Sequence, residues 1–528
     1  MRREQVFWGW GEPGAGPSLP EHAAEWLRSA LDVSGEVVSR PVALDDVRVC
    51  APALDAGVRD ALEAIVGGDH VRDDREARVL RCRGKSYLDL LAQRAGDCEQ
   101  APDAVVAPGS AGEVAAVLRA CGDAGVAVVP FGGGTSVVGG LEPLRGHFGA
   151  LISLDLGRLD RLVGLDARSL TAVLEPGLRL PEADRALAGH GLTLGHVPQS
   201  YEWASVGGCV ATRSAGQLST GRGRIDANVV GVRLSTPLGE LAPAAVPASA
   251  AGPSLRELVA GSEGALGVIT EVALRVHRRA ERSRYEGWFM PSFEAGCEAL
   301  RALAQGGAAP DVARLSDEDE TAMTLGLAPP GAPARAYLRA RLRDNAPGCL
   351  LVLGWEGGLG RRDTGPLRAA GGVYAGRRAG GAWLASRFAG PHLRDDLLDR
   401  AVMVETFETA TSWANLGRLR AAVRGALGGA HVGCHVSHLY ATGASLYFTV
   451  LARHDADDPA AQWHAYKAAA TEAIVAAGGT ITHHHAVGRD HAAYLPREDG
   501  ALGVEVLRAV KERVDPAGVM NPGKLLGD

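Results

Sequence analysis

Residues 126–136, VAVVPFGGGTS, set a short β-rich run directly against three consecutive glycines. A strand that ends in Gly132-Gly133-Gly134 brings bare backbone up to whatever it faces, because no Cβ stands between its N–H groups and an anion. The loop is neither of two common phosphate binders. If Gly132 and Gly134 open a G-x-G-x-x-G fingerprint, Val137 occupies the third glycine position, and no Gly-Lys-Ser/Thr follows. Just upstream, Ser110 and Glu113 have the S-x-x-E spacing of a capping box, ahead of an apolar-periodic helix that runs into VAVVP. The stretch therefore reads as strand, turn, helix, strand, glycine loop. In a chain with 70 glycines such a loop, taken alone, reads as readily as plain connection.

The surrounding texture divides the chain. Residues 1–100 read as mostly helical, and 101–280 as an α/β half. Residues 281–475 alternate longer helices with strands such as SLYFTVLARH. Residues 476–528 return to short elements punctuated by Gly and Pro. The fold class is α+β. A net charge of −7 argues against broad nucleic-acid binding, which needs a basic surface. Eight dispersed cysteines with no CxxC pair offer no zinc ribbon or redox dithiol, and read as reduced thiols of a cytoplasmic protein. The first residues, MRREQVFWGWGEPGAG, lack the apolar segment of a secretory signal, and no apolar run approaches the ~20 residues of a membrane span. A peripheral membrane role stays open.

The glycine loop is followed, in order, by EPGLRL (175–180), SVGGCVATRSAG (205–216), GRID (223–226) and GSEGALGVITE (261–271). This series resembles the FAD-binding domain of the vanillyl-alcohol oxidase, or PCMH-type, superfamily. The resemblance implies a two-subdomain FAD-binding domain plus an αβ cap with an antiparallel sheet. It also implies cofactor contacts from Pro130, Gly132, Gly133, Gly134, Thr135, Ser136, Pro198, Ser205, Gly207, Gly208, Thr212, Ile225, Glu263, Gly264, Gly267 and Ile269. Members with covalent flavin use a histidine in or beside the first loop. Phe131-Gly132-Gly133-Gly134-Thr135 has none, so the FAD is expected to be non-covalent.

The C-terminal third narrows the choice. The superfamily's 2-hydroxy-acid dehydrogenases hold a metal with a GHxGDGNLH segment and a later EHG segment. At these places the chain has TGASLYFTV and THHHAVG, with Tyr447 at a metal-binding histidine and His484 at the glutamate. No metal site is therefore expected. With FWGWGEPG (7–14), TRSAGQLSTGRGRID (212–226) and HLRDDLLDRAVMVETFETATSW (392–413), these segments resemble the alkyldihydroxyacetonephosphate synthase family across nearly the whole chain. The resemblance implies an FAD-dependent alkyl transferase of ether-lipid synthesis, in which a fatty alcohol replaces the acyl group of acyl-dihydroxyacetone phosphate through a flavin N5 adduct with no net redox. Tyr447 then moves a proton at the reacting carbon. Arg394, and on weaker grounds Arg213, binds substrate, with Arg394 on the phosphate. His483, His484 and His485 polarise the carbonyl or hold the phosphate. A homodimer is expected.

Other readings stand beside these. An arginine in an Arg-rich chain is ordinarily a surface ion-pair partner, and a strand tyrosine ordinarily packs. In a strand-like THHHAVG the side chains alternate, so His483 and His485 would share a face and His484 would point away. The competing functions are an FAD-linked oxidase or dehydrogenase of a hydroxy acid or other alcohol, and a flavin-binding protein without catalysis.

Overall fold

The computed structural model describes residues 3–16, 18–20, 22–327, 348–357 and 362–527. Strands Val71–Arg72, Ala104–Val106, Ala150–Asp155 and Val126–Phe131 lie side by side in that order, the last three parallel. Helix Ala111–Ala124 makes the crossover into Val126–Phe131 and buries Val114, Val117, Leu118 and Cys121, one stripe at helical spacing. Its start differs slightly from a full capping box. Ser110 Oγ accepts from Glu113 N (3.1 Å), but the Glu113 carboxylate accepts from Gly109 N (2.7 Å), one residue before the cap. Helix Ala56–Val66 contributes Leu62 and Val66 to the same core.

A second, antiparallel sheet runs Leu162–Asp166, Thr171–Leu174, Val268–Arg275, Val229–Thr236, Gly239–Leu241. The glycine loop leaves the first sheet at Phe131 and packs against residues 203–205, which precede helix Val206–Ala211. The third sheet has seven antiparallel strands in the order Val373–Gly376, Ser283–Met290, Cys349–Glu356, Val312–Ser316, His431–Leu439, Gly443–Arg453, Val402–Ser412. Its period of two separates its faces. Leu446, Phe448 and Val450 join the core with Leu419, Trp463 and Ile474 of the covering helices, while Ser445 and Tyr447 turn to the opposite face.

Both chain ends return to the first domain. Val128 N donates to Val519 O and Asn521 N to Val128 O, both at 2.8 Å, so residues 519–521 pair with the outer edge of the strand that feeds the glycine loop. At the other end, Gln5 Nε2 donates to Gly133 O (3.0 Å) and Trp10 N to Asp395 Oδ2 (2.6 Å). The FWGW segment thereby straps the glycine loop to helix Gly390–Asp399 of the cap. No helix among the described residues is long and apolar enough to cross a membrane.

Asn521 is buried, and its Nδ2 donates to Gly140 O (3.2 Å) and Glu263 O (2.7 Å). Asn521→Ala strands two carbonyls where water scarcely reaches. It is expected to destabilise the protein by about 1–3 kcal/mol, read as a lower denaturant midpoint at unchanged slope.

Candidate active site

Glu408, on strand Val402–Ser412, points its carboxylate away from the covering helices and is buried. Four donors of one short segment converge on it: Thr482 Oγ1 (2.7 Å) and the backbone N–H groups of His483 (2.6 Å), His484 (2.9 Å) and His485 (2.7 Å). Burial alone would push this carboxyl up, but the imidazoles of His484, His485 and His483 hold it well below the usual carboxylate range. Three successive N–H groups can meet one anion only if the backbone curls. Residues 481–485 accordingly form bends and belong to no strand, which corrects the alternating geometry expected from THHHAVG. Instead of pointing away, His484 sits at the centre of the group, 5.2 Å from the His483 ring and 4.8 Å from the His485 ring. The next turn is gripped from the other domain. Glu263 accepts from Val487 N (2.8 Å) and Gly488 N (2.7 Å).

Tyr447 lies in register between Glu408 on one neighbouring strand and His435 on the other. Its ring is stacked between His435 (4.9 Å) and His484 (6.1 Å), with His485 edge-on at 5.6 Å. His435 is fixed in turn. Arg314 Nη1 lies 3.1 Å from its Nε2, and Glu320 Oε1 lies 2.8 Å from its Nδ1. Arginine only donates, so Nε2 accepts and Nδ1–H donates to Glu320. Burial pushes the Tyr447 phenol up to about 12 and the His485 imidazole down to about 3. At neutral pH the site therefore holds a protonated phenol beside a neutral imidazole.

On the far side of His483, Tyr440 Oη lies 2.5 Å from His483 Nε2, and His483 Nδ1 lies 2.9 Å from His484 Nδ1. A cavity of about 420 Å³ opens here, lined by Tyr440, His483, Arg224, Asp226, Thr480 and Thr482 among others. Ring nitrogens of His438, His483 and His484 come within 4.8 Å of one another. The His438 ring is already engaged with Gly216 O (3.0 Å) and Ser445 Oγ (3.1 Å), and the His483 ring with Tyr440 and His484, so a metal ion would have to break these bonds.

The glycine loop fits a phosphate-bearing cofactor. A Cβ on Gly132 would lie 2.4 Å from Ser205 Oγ, and one on Gly133 2.2 Å from Trp203 O, so only glycine permits this approach. Among the described residues, the N–H groups of Gly133, Gly134 and Thr135 have no protein acceptor. FAD would be held there, with Ser205 capping Val206–Ala211 opposite.

The remaining candidates divide by place. Pro130 touches the Gly264 position, Ser136 O accepts from Lys85 N (2.6 Å), and Gly208 N reaches Ser205 Oγ (3.3 Å). Gly207 packs against Pro176, Thr212 Oγ1 bonds Gly208 O (2.9 Å), and Ile225 and Ile269 are buried in the second sheet's core. Pro198 O accepts from Tyr201 N, and Gly267 lies against Ser235 O. The carboxylate of Glu263 is spent on the 487–488 turn. Arg394 Nη1 donates to Lys85 O (2.8 Å), while its Nε and Nη2 are buried without a hydrogen-bond partner; Asp395 Oδ1 is 3.9 Å from Nε. Burial pushes the adjacent Lys85 ammonium down to about 7. Arg213 lies outside the histidine group, its guanidinium bound to Ala260 O (2.8 Å) and Glu257 O (2.9 Å). Sequence reasoning missed Glu408, Tyr440, His438 and Lys85. The one available signal was the pair of carboxylates, Glu405 and Glu408, inside the β-run VMVETFETA.

Two family models match the chain: an FAD binding domain over residues 102–244 and the C-terminal domain of FAD linked oxidases over residues 279–525. An alkyldihydroxyacetonephosphate synthase of Trypanosoma brucei brucei is 30% identical over 568 residues, 99% of this chain and 92% of that protein. An uncharacterised FAD-linked oxidoreductase of Escherichia coli O157:H7 is 28% identical over 500 residues, 89% of this chain and 98% of that one. A solved alkyldihydroxyacetonephosphate synthase superposes with a TM-score of 0.85 at 27% identity, covering 98% of both chains. The fold alone is shared with p-cresol methylhydroxylase, at a TM-score of 0.67 and 14% identity over 90% of this chain and 98% of that one.

Two outcomes follow from this geometry. Gly133→Ala is expected to yield protein without bound flavin, read from the absorbance ratio of flavin to protein. Glu408 has a folded-state value below its ordinary 4.5, so its contribution to stability is present above that value and is lost as pH falls through the depressed one. Glu408→Gln is therefore expected to lower the melting temperature at neutral pH and to flatten its fall below pH 4.5.

Proposed function

Because the chain belongs to the alkyldihydroxyacetonephosphate synthase family of FAD-dependent enzymes, we propose that it exchanges the acyl group of acyl-dihydroxyacetone phosphate for a fatty alcohol, with no net redox change. The observation that carries this reading is Tyr447, a protonated phenol at neutral pH, stacked between the rings of His435 and His484 with the neutral His485 imidazole edge-on to it. FAD, bound non-covalently at the glycine loop, would supply an electrophilic ring to this exchange. The protein's own groups do the rest. Arg394 offers two buried donors to a phosphate, with the Lys85 ammonium beside it. Tyr447, protonated at neutral pH, donates to the keto oxygen or returns a proton to the reacting carbon. The His485 imidazole, neutral and without a hydrogen bond among the described residues, is free to accept one.

Glu408 is unsuited to be the base, since its four donors already occupy it. The lipid nature of both substrates supports peripheral contact with a membrane, and a homodimer belongs to the same reading. Purified protein with acyl-dihydroxyacetone phosphate and hexadecanol is expected to give ether product and free fatty acid in equal amounts, with no oxygen or dye consumed. Flavin bleaching by a 2-hydroxy acid, with reoxidation by an acceptor, would instead support an FAD-linked dehydrogenase. Tyr447→Phe is expected to keep its flavin and lose roughly 100-fold or more in turnover; full activity in that variant removes Tyr447 from the chemistry.

A further inference from the structure

The proposed exchange releases one proton. The ester C–O bond breaks with its electron pair on the departing carboxylate. The alcohol O–H bond breaks as its oxygen forms the ether bond, and at neutral pH the fatty acid stays ionised. That proton arises in a buried site and has to reach water.

We propose that Tyr440, His483 and His484 form the relay that carries it from the Tyr447 side of the site to the cavity beside Tyr440. The inference rests on the exchange reaction above and on two short contacts that lead from His484, beside Tyr447, to the cavity. His484 is stacked on Tyr447, 6.1 Å between ring centres. His484 Nδ1 is 2.9 Å from His483 Nδ1, and His483 Nε2 is 2.5 Å from Tyr440 Oη. Tyr440 and His483 then line the 420 Å³ cavity.

Each link can be drawn in either direction, as a relay requires. With the phenol donating, Tyr440 O–H gives to His483 Nε2, and His483 Nδ1–H gives to His484 Nδ1. With the chain reversed, His484 Nδ1–H gives to His483 Nδ1, and His483 Nε2–H gives to the Tyr440 oxygen. One proton entering at His484 and one leaving from Tyr440 convert the second arrangement into the first, and no proton moves further than one hydrogen bond.

The surroundings suit the traffic. Glu408 Oε2 is 3.3 Å from His484 Nδ1 and offers a counter-charge while the proton rests there. The links cannot drift, because His483 N is bound to Glu408 (2.6 Å) and its carbonyl accepts from Arg224 Nη1 (2.9 Å). Burial keeps Tyr440 a phenol, its value pushed up to about 12, and keeps His483 neutral at rest. Tyr440 and His483 are therefore uncharged at rest.

Tyr440→Phe breaks the last link and keeps the ring. With both substrates, kcat is expected to fall roughly 100-fold, while KM and flavin content hold. The solvent deuterium isotope effect on kcat should rise, because proton exit becomes limiting. Imidazole added to the buffer should restore part of kcat in the variant and do nothing for the wild type, since it can enter the cavity and take the proton from His483. An unchanged kcat in Tyr440→Phe overturns the relay. So does a loss of kcat with neither the isotope effect nor the imidazole rescue, which would make Tyr440 a packing residue only. Wild-type protein that yields no ether product is a different result: it removes the exchange reaction, and with it the proton this relay would carry.

Discussion

The carboxylate of Glu408 is the fixed point of the site. Ordinarily a buried anion costs several kcal/mol in lost hydration and must be repaid by close partners. Here the repayment comes from one tetrapeptide, through a hydroxyl and three consecutive N–H groups. The consequence runs in both directions. The anion is stable only where the loop curls around it, and the loop curls only because the anion is there. Three adjacent histidines, which a strand would send to alternate faces, are thereby gathered around one tyrosine. The Tyr447 and His435 rows of the sheet extend the arrangement, since residues paired in register share a face.

A second carboxylate makes the site a joint between domains. Glu408 belongs to the cap sheet, whereas Glu263 follows helix Leu255–Val259 in the FAD-binding half. Between them they take five of the backbone N–H groups of residues 483–488. Glu263 is itself steadied through its backbone carbonyl by Asn521, from the segment that pairs with the strand leading into the glycine loop. The loop that would receive FAD and the loop that carries the histidines are thus both tied to the same strand edge, through the hydrogen bonds of residues 519–521 and of Glu263.

What the sequence disclosed and what it hid follow from the range of the interactions. Short-range signals were readable. The cap at Ser110, the strand VAVVP and the glycine loop depend on neighbours within a few residues, and each is where local rules put it. Tyr447 and the histidines were found by resemblance, and their placement together depends on sheet register, which no local pattern encodes. THHHAVG misled because period-two reasoning assumes a ladder partner, while these N–H groups spend themselves on a side chain some seventy-five residues earlier in the chain. Glu408 itself was in plain view within VMVETFETA. Two buried acids on one strand, Glu405 and Glu408, say that something must meet them, but not what. Arg213 shows the opposite limit. Its guanidinium completes two backbone carbonyls near helix Leu255–Val259, a task invisible without the fold.

Charge is distributed unevenly among the buried polar groups. At one end of the set, Arg394 donates to Lys85 O (2.8 Å) and keeps two buried guanidinium nitrogens unpartnered, while the Lys85 ammonium donates to Val6 O (2.8 Å) and Phe7 O (2.9 Å). Burial has already lowered the Lys85 ammonium toward neutrality, so a dianion arriving there is met by a group whose protonation it would itself restore. At the other end, burial holds His438, His483 and His485 neutral around a single saturated carboxylate. Neutral imidazoles can pass a proton without first losing one, and they do not compete with the cationic end for phosphate. The separation of a phosphate-seeking end from a proton-handling end is what a reaction needs when it holds one substrate by its anion and exchanges a group at the neighbouring carbon.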